Sequence, residues 1–373
     1  MTPLREGTDR MRITFMTPAD DLTGGSRVVA TYARRLSDRG HDVLIVSNAP
    51  DRPTLREHLR ALRHGQWRAL RARMRPAPGH MALSGVAHRV LERPRPIAAR
   101  DLPDADVLVA TWWETAVWMD AMPARAGRKV HLIQGYEVWT GGDVEARVHA
   151  ALRLPNRKIA ISHSLARDIQ TKLGDLGIAV VPNAVDVELF DAPPRPRSEP
   201  PTVGFIYSHA PIKGTDICLR ACELARRQLP GLRVLAFGAD TPSQALPLPE
   251  GAEFFHRPAQ DRIASLYARC DAWMFASRLD SFGLPILESM ACRTPVVGVP
   301  VGAAPELLAD GAGCLVPAES PEAMAAAVVA LLAGPADQWQ ATSDRAYQRA
   351  HGYSWDDATT RLLRVIEGDH RVS

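Results

Sequence analysis

The stretch Asp280-Ser-Phe-Gly-Leu-Pro-Ile-Leu-Glu288 carries the signal from which the fold of this chain follows. A short apolar run before it predicts a buried strand. Pro285 suits the first turn of a helix, because its missing N–H has no partner there. The backbone N–H groups at the start of that helix point away from it, where an anion or a hydroxyl accepts from them. The carboxylates at the two ends of the stretch are good acceptors for vicinal hydroxyls. The stretch therefore predicts a strand, a ligand-binding loop and a helix.

Outward from this loop, short β-branched runs alternate with longer helical patterns in both halves of the chain. Such alternation is typical of parallel α/β proteins. Five prolines fall within residues 191–201 and predict a linker, because proline cannot supply the hydrogen bonds of regular structure. The length of 373 residues suits two domains. We therefore predict two Rossmann-like, doubly wound domains that face each other across a cleft, with ligands beyond the carboxyl ends of the strands.

The domain boundaries follow from the same pattern. The first unit begins with a strand at residues 12–16, a turn that ends at Gly24-Gly25, and a helix closed by Gly40. We place an N-terminal domain at residues 1–192, a proline-rich linker at 193–201, a second domain at 202–352, and a C-terminal helix within 353–373 that crosses back to the first domain.

Several short motifs accompany the loop in a fixed order along the chain. They are Thr23-Gly24-Gly25, Pro182-Asn-Ala-Val-Asp186, Lys213-Gly214, Gly302-Ala-Ala-Pro-Glu306 and Tyr353-Ser-Trp355. As a set they resemble the family 4 glycosyltransferases, which have the GT-B fold and place Gly-Phe-Gly-Leu-Pro between two glutamates. The resemblance covers nearly the whole chain. It implies a hexosyltransferase that moves a sugar from a nucleotide diphosphate sugar to a hydroxyl, with retention of configuration.

The same resemblance assigns roles to single residues. Glu288 would hold the ribose hydroxyls of the donor, Asp280 would contact the transferred sugar, and Lys213 would neutralise the diphosphate leaving group. Lys213 and Asp280 are thus the expected catalytic residues. The full expected donor-binding set is Gly24, Gly25, Ser208, Lys213, Arg278, Asp280, Phe282, Gly283, Leu284 and Glu288. The two N-terminal glycines would let the backbone approach the diphosphate closely. The N-terminal domain would then be the acceptor side and the second domain the nucleotide-sugar side.

The sequence departs from the family pattern at three places. Asp280 replaces the usual glutamate and shortens its reach by one methylene. Ser208 stands where an arginine is usual, which removes one cation from the diphosphate site, and Arg278 or His209 is a candidate to replace it. The acceptor-side histidine is not evident. The motifs Thr111-Trp-Trp-Glu114 and Gln134-Gly-Tyr-Glu137 fill the corresponding strand ends.

The acceptor-side candidates are therefore Trp113, Gln134, Tyr136 and Glu137. Several tryptophans near these strand ends suit stacking on a sugar and suit packing in a core equally well. The acceptor would be a glycan, a lipid-linked sugar or a small molecule, in the synthesis of a cell-surface polysaccharide or glycoconjugate. Two alternatives remain open: a non-catalytic homologue that binds a nucleotide-sugar, and a GT-B sugar phosphorylase or epimerase.

We expect no metal and no cofactor, since the nucleotide-sugar is a co-substrate. Asp104-Ala-Asp106 resembles a metal-binding Asp-x-Asp, but it precedes an apolar strand, where acidic turn residues are common. The five cysteines have no Cys-x-x-Cys spacing. The chain has no apolar run of the roughly 20 residues that span a bilayer, and its start lacks a secretory signal. We therefore expect a cytoplasmic protein.

One segment is far more basic than the rest. Between Arg52 and Arg100 there are twelve arginines and two glutamates, with leucines interleaved. Such a segment suits peripheral contact with an anionic lipid at the inner membrane face, or a solvated helix that covers the first domain. Nucleic acid is disfavoured as a partner, because no recognition fold accompanies the charge.

Overall fold

The computed structural model describes residues 10–50, 56, 63, 78–138 and 143–368. Its described residues build two sheets, and the first contains seven strands in the order β3-β2-β1-β4-β5-β6-β7. The elements are β1 Arg12–Thr17, α1 Gly24–Asp38, β2 Asp42–Ser47, β3 Ala87–Val90, β4 Val107–Ala110, α2 Trp113–Asp120, β5 Arg128–Ile133, α3 Val144–Leu152, β6 Arg157–Ala160, α4 His163–Leu173 and β7 Ala179–Val180. Strands β1 to β6 pair in parallel.

The second sheet has six parallel strands in the order β10-β9-β8-β11-β12-β13. Its elements are β8 Thr202–Ile206, α5 Thr215–Arg226, β9 Arg233–Gly238, β10 Glu253–His256, α6 Gln260–Ala268, β11 Ala272–Phe275, α7 Leu284–Ala291, β12 Val296–Gly298, α8 Ala304–Leu307, β13 Gly313–Leu315, α9 Pro321–Ala333, α10 Ala336–His351 and α11 Trp355–Glu367. From one edge, the first six strands of each sheet follow the same sequence of connections, that of the dinucleotide-binding fold. The predicted doubly wound, Rossmann-like architecture is confirmed.

The central strands are apolar because helices cover both faces of a doubly wound sheet. Every residue of β4 and of β11 is buried, and β1 is buried after its first residue. The helical spacing in the sequence predicts one buried face for α1, and the structure buries it, with Val28, Val29, Tyr32, Ala33 and Leu36. Because the strands themselves are buried, the polar residues that bind ligands lie in the loops after the carboxyl ends of the strands. Those loops contain the candidate site.

The chain divides into two compact units. Of the described residues, unit 1 contains those up to Ala160 together with 172–179 and 359–368. Unit 2 contains Ile161–Thr171 and Val180–Ala358.

The proline-rich segment belongs to unit 2, where Arg195 Nη1 lies 2.7 Å from Oδ1 of Asp271, whose side chain is fully buried. The backbone N–H groups of Ser198 and Thr202 donate to the same carboxylate. The segment that we predicted as a linker is thus fixed to unit 2.

The last helix ends in unit 1, where three arginines hold it. Arg157 and Arg128, the first residues of β6 and β5, donate to the carbonyls of Val365 and Glu367 at 2.9 and 3.3 Å. These carbonyls lie in the last turn of α11, where helix carbonyls lack an intrahelical partner. Arg39, which follows α1, donates to the Thr360 hydroxyl at 3.0 Å. Among the helices of the described residues, none is long and apolar enough to span a membrane.

Candidate functional site

The loop between β11 and α7 is organised by Asp280. Its Oδ1 accepts hydrogen bonds from the backbone N–H groups of Phe282, at 3.2 Å, and Gly283, at 2.8 Å. Gly283 has a φ of 91°, a left-handed conformation that favours glycine, and α7 begins at the next residue, Leu284. Two of the backbone groups that we predicted to face the donor are therefore bound to Asp280. The short aspartate side chain folds back onto its own loop.

Lys213 lies beside this loop. Its Nζ is 3.0 Å from Asp280 Oδ2, and its side chain is 38% exposed against 16% for Asp280. Gly214 makes this placement possible, because a Cβ at that position would lie 2.0 Å from the carbonyl oxygen of Ala276, just beyond β11. The two residues predicted as catalytic are thus adjacent in unit 2.

Glu288 lies one turn into α7 and is only 6% exposed. The hydroxyl of Tyr267, on α6, donates to Glu288 Oε2 at 3.0 Å. Tyr267 was missed in the sequence, where an aromatic residue on an amphipathic helix has no feature that separates it from an ordinary core residue. The buried carboxylate predicted to hold ribose therefore accepts a hydrogen bond from a second buried side chain.

Ser208 is bound to an acidic residue. Its Oγ donates to Asp240 Oδ2 at 3.0 Å, and the backbone N–H of His209 donates to the same oxygen at 2.8 Å. The bond from the His209 backbone is the main cause that lowers the pKa of Asp240. The His209 ring is engaged with the carbonyl of Thr241 at 2.9 Å. The position where the family usually places a cation is thus occupied by a serine beside a carboxylate, a feature that the sequence did not indicate.

The side chain of Arg278 is engaged by hydrogen bonds within unit 2. All five of its N–H groups have acceptors: the carboxylates of Asp216 and Glu319 and the carbonyl of Pro211. The bonds to Asp216 and Glu319 raise the pKa of Arg278. The backbone N–H of Arg278 also donates to the carbonyl of Ile212 at 2.8 Å. Arg278 therefore braces the turn that carries Lys213, and its donors become available to a phosphate only if these bonds break.

In unit 1, the glycine turn lies at the start of α1. Thr23 caps the helix, and the carboxylate of Asp21 accepts from the hydroxyls of Thr23 and Ser26, each at 2.6 Å. A Cβ at Gly25 would lie 3.7 Å from the side-chain amide of Gln134, which is ordinary contact. The Gln134 Nε2 is 3.5 Å from the carbonyl of Thr111, and its Oε1 is buried without a hydrogen-bond partner. The turn and Gln134 are thus neighbours.

Two further acceptor-side candidates, Glu137 and Tyr136, have different hydrogen-bond partners. Glu137 is 3% exposed and accepts from the backbone N–H of Trp113, the first residue of α2, at 2.9 Å. Burial raises the pKa of Glu137 to about 8. The Tyr136 hydroxyl instead contacts Glu145, at 3.1 Å, and His149. Burial is also the main cause that raises the pKa of Tyr136 to about 12.

Trp113 is 7% exposed, which favours packing over stacking on an acceptor. The guanidinium of Arg147 lies 4.6 Å from the centre of its ring. Trp139, one of the tryptophans near the predicted strand ends, lies outside the described residues, as do residues 52–55, 57–62 and 64–77 of the arginine-rich segment. Within the described part of that segment, Arg89 and Arg95 are bound to Asp101, so these two arginines stabilise unit 1.

The two aspartates that resemble a metal-binding motif, Asp104 and Asp106, are each paired with an arginine. Asp106 accepts from the backbone and the guanidinium of Arg12, which lowers its pKa to about 2. Asp104 pairs with Arg125 at 2.9 Å. Within residues 10–50, 56, 63, 78–138 and 143–368, no group of histidine, cysteine, aspartate and glutamate side chains is arranged to hold a metal ion.

Comparison with known proteins yields matches in both halves. A family described as "Glycosyltransferase Family 4" matches residues 22–189, and "Glycosyl transferases group 1" matches residues 200–334. A D-inositol 3-phosphate glycosyltransferase of Mycobacteroides abscessus is 32% identical over 180 residues, which are 45% of this chain and 39% of that protein. A phosphatidyl-myo-inositol mannosyltransferase of Mycolicibacterium smegmatis is 34% identical over 223 residues, 56% of each protein.

The chain spans about half the length of these relatives. Among solved structures, Anabaena HepE in complex with UDP and glucose is similar over 96% of this chain and 100% of that one. The TM-score is 0.71 at 16% identity, so this likeness concerns the fold.

Two doubly wound units, the second with this loop and its pair of acidic residues, give the chain the GT-B fold. Both family matches are to glycosyltransferases, and together they cover most of the length of the chain.

Proposed function

We propose that this protein transfers a sugar, with retention of configuration, from a nucleotide diphosphate sugar to a hydroxyl. The observation that carries the proposal is the arrangement in unit 2, where Lys213 and Asp280 are adjacent at the start of α7 and Glu288 is buried one turn further on. The transferase names of the relatives, and the UDP of the HepE complex, support the same reaction class.

The departing nucleoside diphosphate gains negative charge, and this charge must be stabilised. Lys213 is the cation that contacts Asp280 in this loop, and in this structure its charge is balanced by that carboxylate. A diphosphate competes with Asp280 for Lys213 when it binds. The backbone N–H of Leu284, together with the N-terminal end of α7, supplies further positive potential. We propose that this combination serves the leaving group without a metal ion or a resident cofactor.

The acidic surroundings of Ser208 favour one alternative. With Asp240 bound to Ser208 and Arg278 saturated, the diphosphate site has fewer cations than the family pattern supplies. This observation would suit a homologue that binds a nucleotide-sugar without transferring it. The two possibilities differ in one measurable respect: a transferase slowly releases nucleoside diphosphate from its donor even without an acceptor.

We place the acceptor in unit 1, near Gln134, Tyr136, Glu137 and Trp113. The relatives' names concern inositol phosphates and phosphatidylinositol, which are hydroxyl-rich and anionic. We propose a hydroxyl of a glycan, a lipid-linked sugar or a small polyol as the acceptor, in the synthesis of a cell-surface polysaccharide or glycoconjugate.

We further propose that a cytoplasmic protein of this kind contacts anionic lipid peripherally. Leu22 and Leu83 are 64% and 66% exposed, and their loops are joined by the bond from the backbone N–H of His80 to the carbonyl of Asp21. The segment between Arg52 and Arg100 adds positive charge in the same unit. Flotation with phosphatidylglycerol vesicles tests the idea: the protein should float with them and not with phosphatidylcholine vesicles. Absence of flotation with either contradicts it.

The donor site is tested by Glu288→Ala. We expect the affinity for the nucleotide-sugar to fall roughly 10-fold or more, because hydrogen bonds to a charged group contribute about 1.5–3 kcal/mol each. The donor is first identified by thermal shift with UDP-, GDP-, dTDP- and ADP-sugars, since a ligand that binds the native state raises its stability. Release of nucleoside diphosphate is then measured with that donor.

The matched control is Glu250→Ala, which removes an exposed carboxylate from unit 2 and should leave the affinity unchanged. An unchanged affinity in Glu288→Ala would refute the site. Binding without any release of nucleoside diphosphate, with or without acceptors, would favour the non-catalytic alternative.

A further inference from the structure

Tyr267 has a role that its place in the core does not require. It lies on α6, is fully buried, and donates its hydroxyl to Glu288 Oε2 at 3.0 Å. Packing alone would be satisfied by phenylalanine. A buried hydroxyl is costly unless it is hydrogen-bonded, and here its acceptor is the carboxylate of the proposed donor site.

The ring of Tyr267 is held on several sides. Its centre lies 4.5 Å from the ring of Trp273, 5.5 Å from Phe237 and 6.1 Å from Phe190, each in an edge-to-face arrangement. Such arrangements are the preferred geometry of aromatic pairs. Trp273 and Phe237 belong to the central strands β11 and β9, so the direction of the hydroxyl is set by the sheet.

The backbone of Tyr267 is anchored as well. The Thr294 hydroxyl, just before β12, donates to the carbonyl of Tyr267 at 2.7 Å and to that of Cys270 at 2.9 Å. The end of α6 therefore cannot shift without disturbing the strand next to α7. A hydroxyl fixed in this way limits the orientation that the Glu288 carboxylate adopts before any ligand arrives.

We propose that Tyr267 is a positioning residue for ribose recognition, which holds the Glu288 carboxylate in the orientation that receives the vicinal hydroxyls of a nucleoside diphosphate. The inference rests on the proposed function, since it takes Glu288 as the ribose ligand. Its physical basis is preorganisation: a side chain that is already oriented loses less conformational entropy when the ligand binds.

The test is Tyr267→Phe, which keeps the ring and removes the hydroxyl. Affinities for UDP and GDP are measured by calorimetry beside those of 2′-deoxy-UDP and 2′-deoxy-GDP. The ratio of deoxy to ribo dissociation constants reports ribose recognition. We expect this ratio to fall roughly 3- to 10-fold in Tyr267→Phe, the effect of one hydrogen bond. A change in stability alone leaves the ratio unaltered.

The control is Tyr347→Phe, which removes a tyrosine hydroxyl bonded to a carboxylate, Asp191, at 3.0 Å in the same unit. Its ratio should equal that of the wild type. In a Glu288→Gln background, Tyr267→Phe should cause no further change in the ratio, because coupled residues do not act additively.

The possible outcomes distinguish the role of Tyr267 from the assignment of Glu288 as the ribose ligand. An unchanged ratio in Tyr267→Phe, with a lowered ratio in Glu288→Gln, would overturn the role of Tyr267 and leave the donor site standing. If the wild type binds none of these nucleotides, or if Glu288→Gln keeps the full ribose preference, the assignment of Glu288 fails and the role of Tyr267 fails with it.

Discussion

Glu137 is a carboxyl group whose burial has a consequence for stability at different pH values. Its pKa is raised to about 8 from 4.5 by burial. The folded state therefore binds the proton more tightly than the unfolded state. The resulting stabilisation is fully present below about pH 4.5 and is lost as the pH rises through 8.

We therefore expect Glu137 to lower the free energy of unfolding of unit 1 as the pH rises from 5 to 8, with a slope of up to about 1.4 kcal/mol per pH unit. Burial lowers the pKa of His131 from 6.5, and this group contributes a slope of the opposite sign below that pH. Glu137→Gln, which keeps an acceptor for the N–H of Trp113, should flatten this slope. Calorimetry at three pH values measures it, and Asp120→Asn, an exposed carboxylate in the same unit, is the control. Equal slopes in wild type and Glu137→Gln would refute the role of Glu137.

Asp280 illustrates how far single residues could be predicted. The sequence located this carboxylate near the start of the loop, and in the structure it lies beside Lys213. The sequence did not indicate that Asp280 Oδ1 would bind the N–H groups of Phe282 and Gly283. That outcome depends on the length of the side chain relative to the turn. The short carboxylate of an aspartate can accept hydrogen bonds from the backbone N–H groups of the residues two and three positions after it.

The availability of the Arg278 side chain could not be predicted from the sequence. An arginine near a phosphate site is a reasonable candidate for phosphate binding from sequence alone. Whether its N–H groups are available depends on acceptors that are distant along the chain, here Asp216 and Glu319. Such long-range pairing has no local signal, and the same reason hid the contact between Ser208 and Asp240.

At the scale of elements, hydrophobic pattern located most strands and many helices. The helix α10, Ala336–His351, was not predicted, because its buried positions are Trp339, Ser343, Ala346 and Ala350. Three of these four are small or polar, so no apolar stripe is visible although the spacing is helical. Strong apolar runs in the sequence predict a strand at Arg233–Gly238 and a helix at Pro321–Ala333, and β9 and α9 have these bounds.

The proline-rich segment is attached to unit 2 through the carboxylate of Asp271. Asp271 accepts from Arg195 and from the backbone of Ser198 and Thr202, and its side chain is fully buried. Removing one partner of a buried ion pair leaves an uncompensated charge, which costs about 3–5 kcal/mol. We expect Asp271→Ala to lower the free energy of unfolding of unit 2 by that order.

Urea unfolding followed by tryptophan fluorescence measures this change, because the indole N–H of Trp339 donates to the backbone carbonyl of Asp271. The control is Glu253→Ala, which breaks the exposed pair with Arg269. An exposed pair contributes only about 0–1 kcal/mol. If the two variants lost equal stability, the segment would not be fixed in the way the contacts indicate.

In the whole molecule, the two sheets repeat one order of strands. The sequence predicted two doubly wound domains from the alternation of patterns before and after the prolines, but not this order. The assignment of chain segments to each unit was harder. The return of residues 359–368 to unit 1 was expected from the family resemblance, whereas residues 161–171 group with unit 2 although the chain on both sides of them belongs to unit 1. Such grouping is decided by contacts between distant segments, which a periodic pattern along the chain does not encode.

Unit 1 therefore depends on the end of the chain. The last part of α11 contributes Leu362, Val365 and Ile366 as buried residues, and burying each such side chain contributes about 1.5–3 kcal/mol. We expect deletion after Ala358 to expose the amides of unit 1 to hydrogen exchange, measured by mass spectrometry, while unit 2 keeps its protection and its nucleotide affinity. A shorter deletion, after Gly368, removes none of these contacts and should change neither unit. If the longer deletion left the protection of unit 1 intact, the first sheet would be stable without the helix that Arg128 and Arg157 hold.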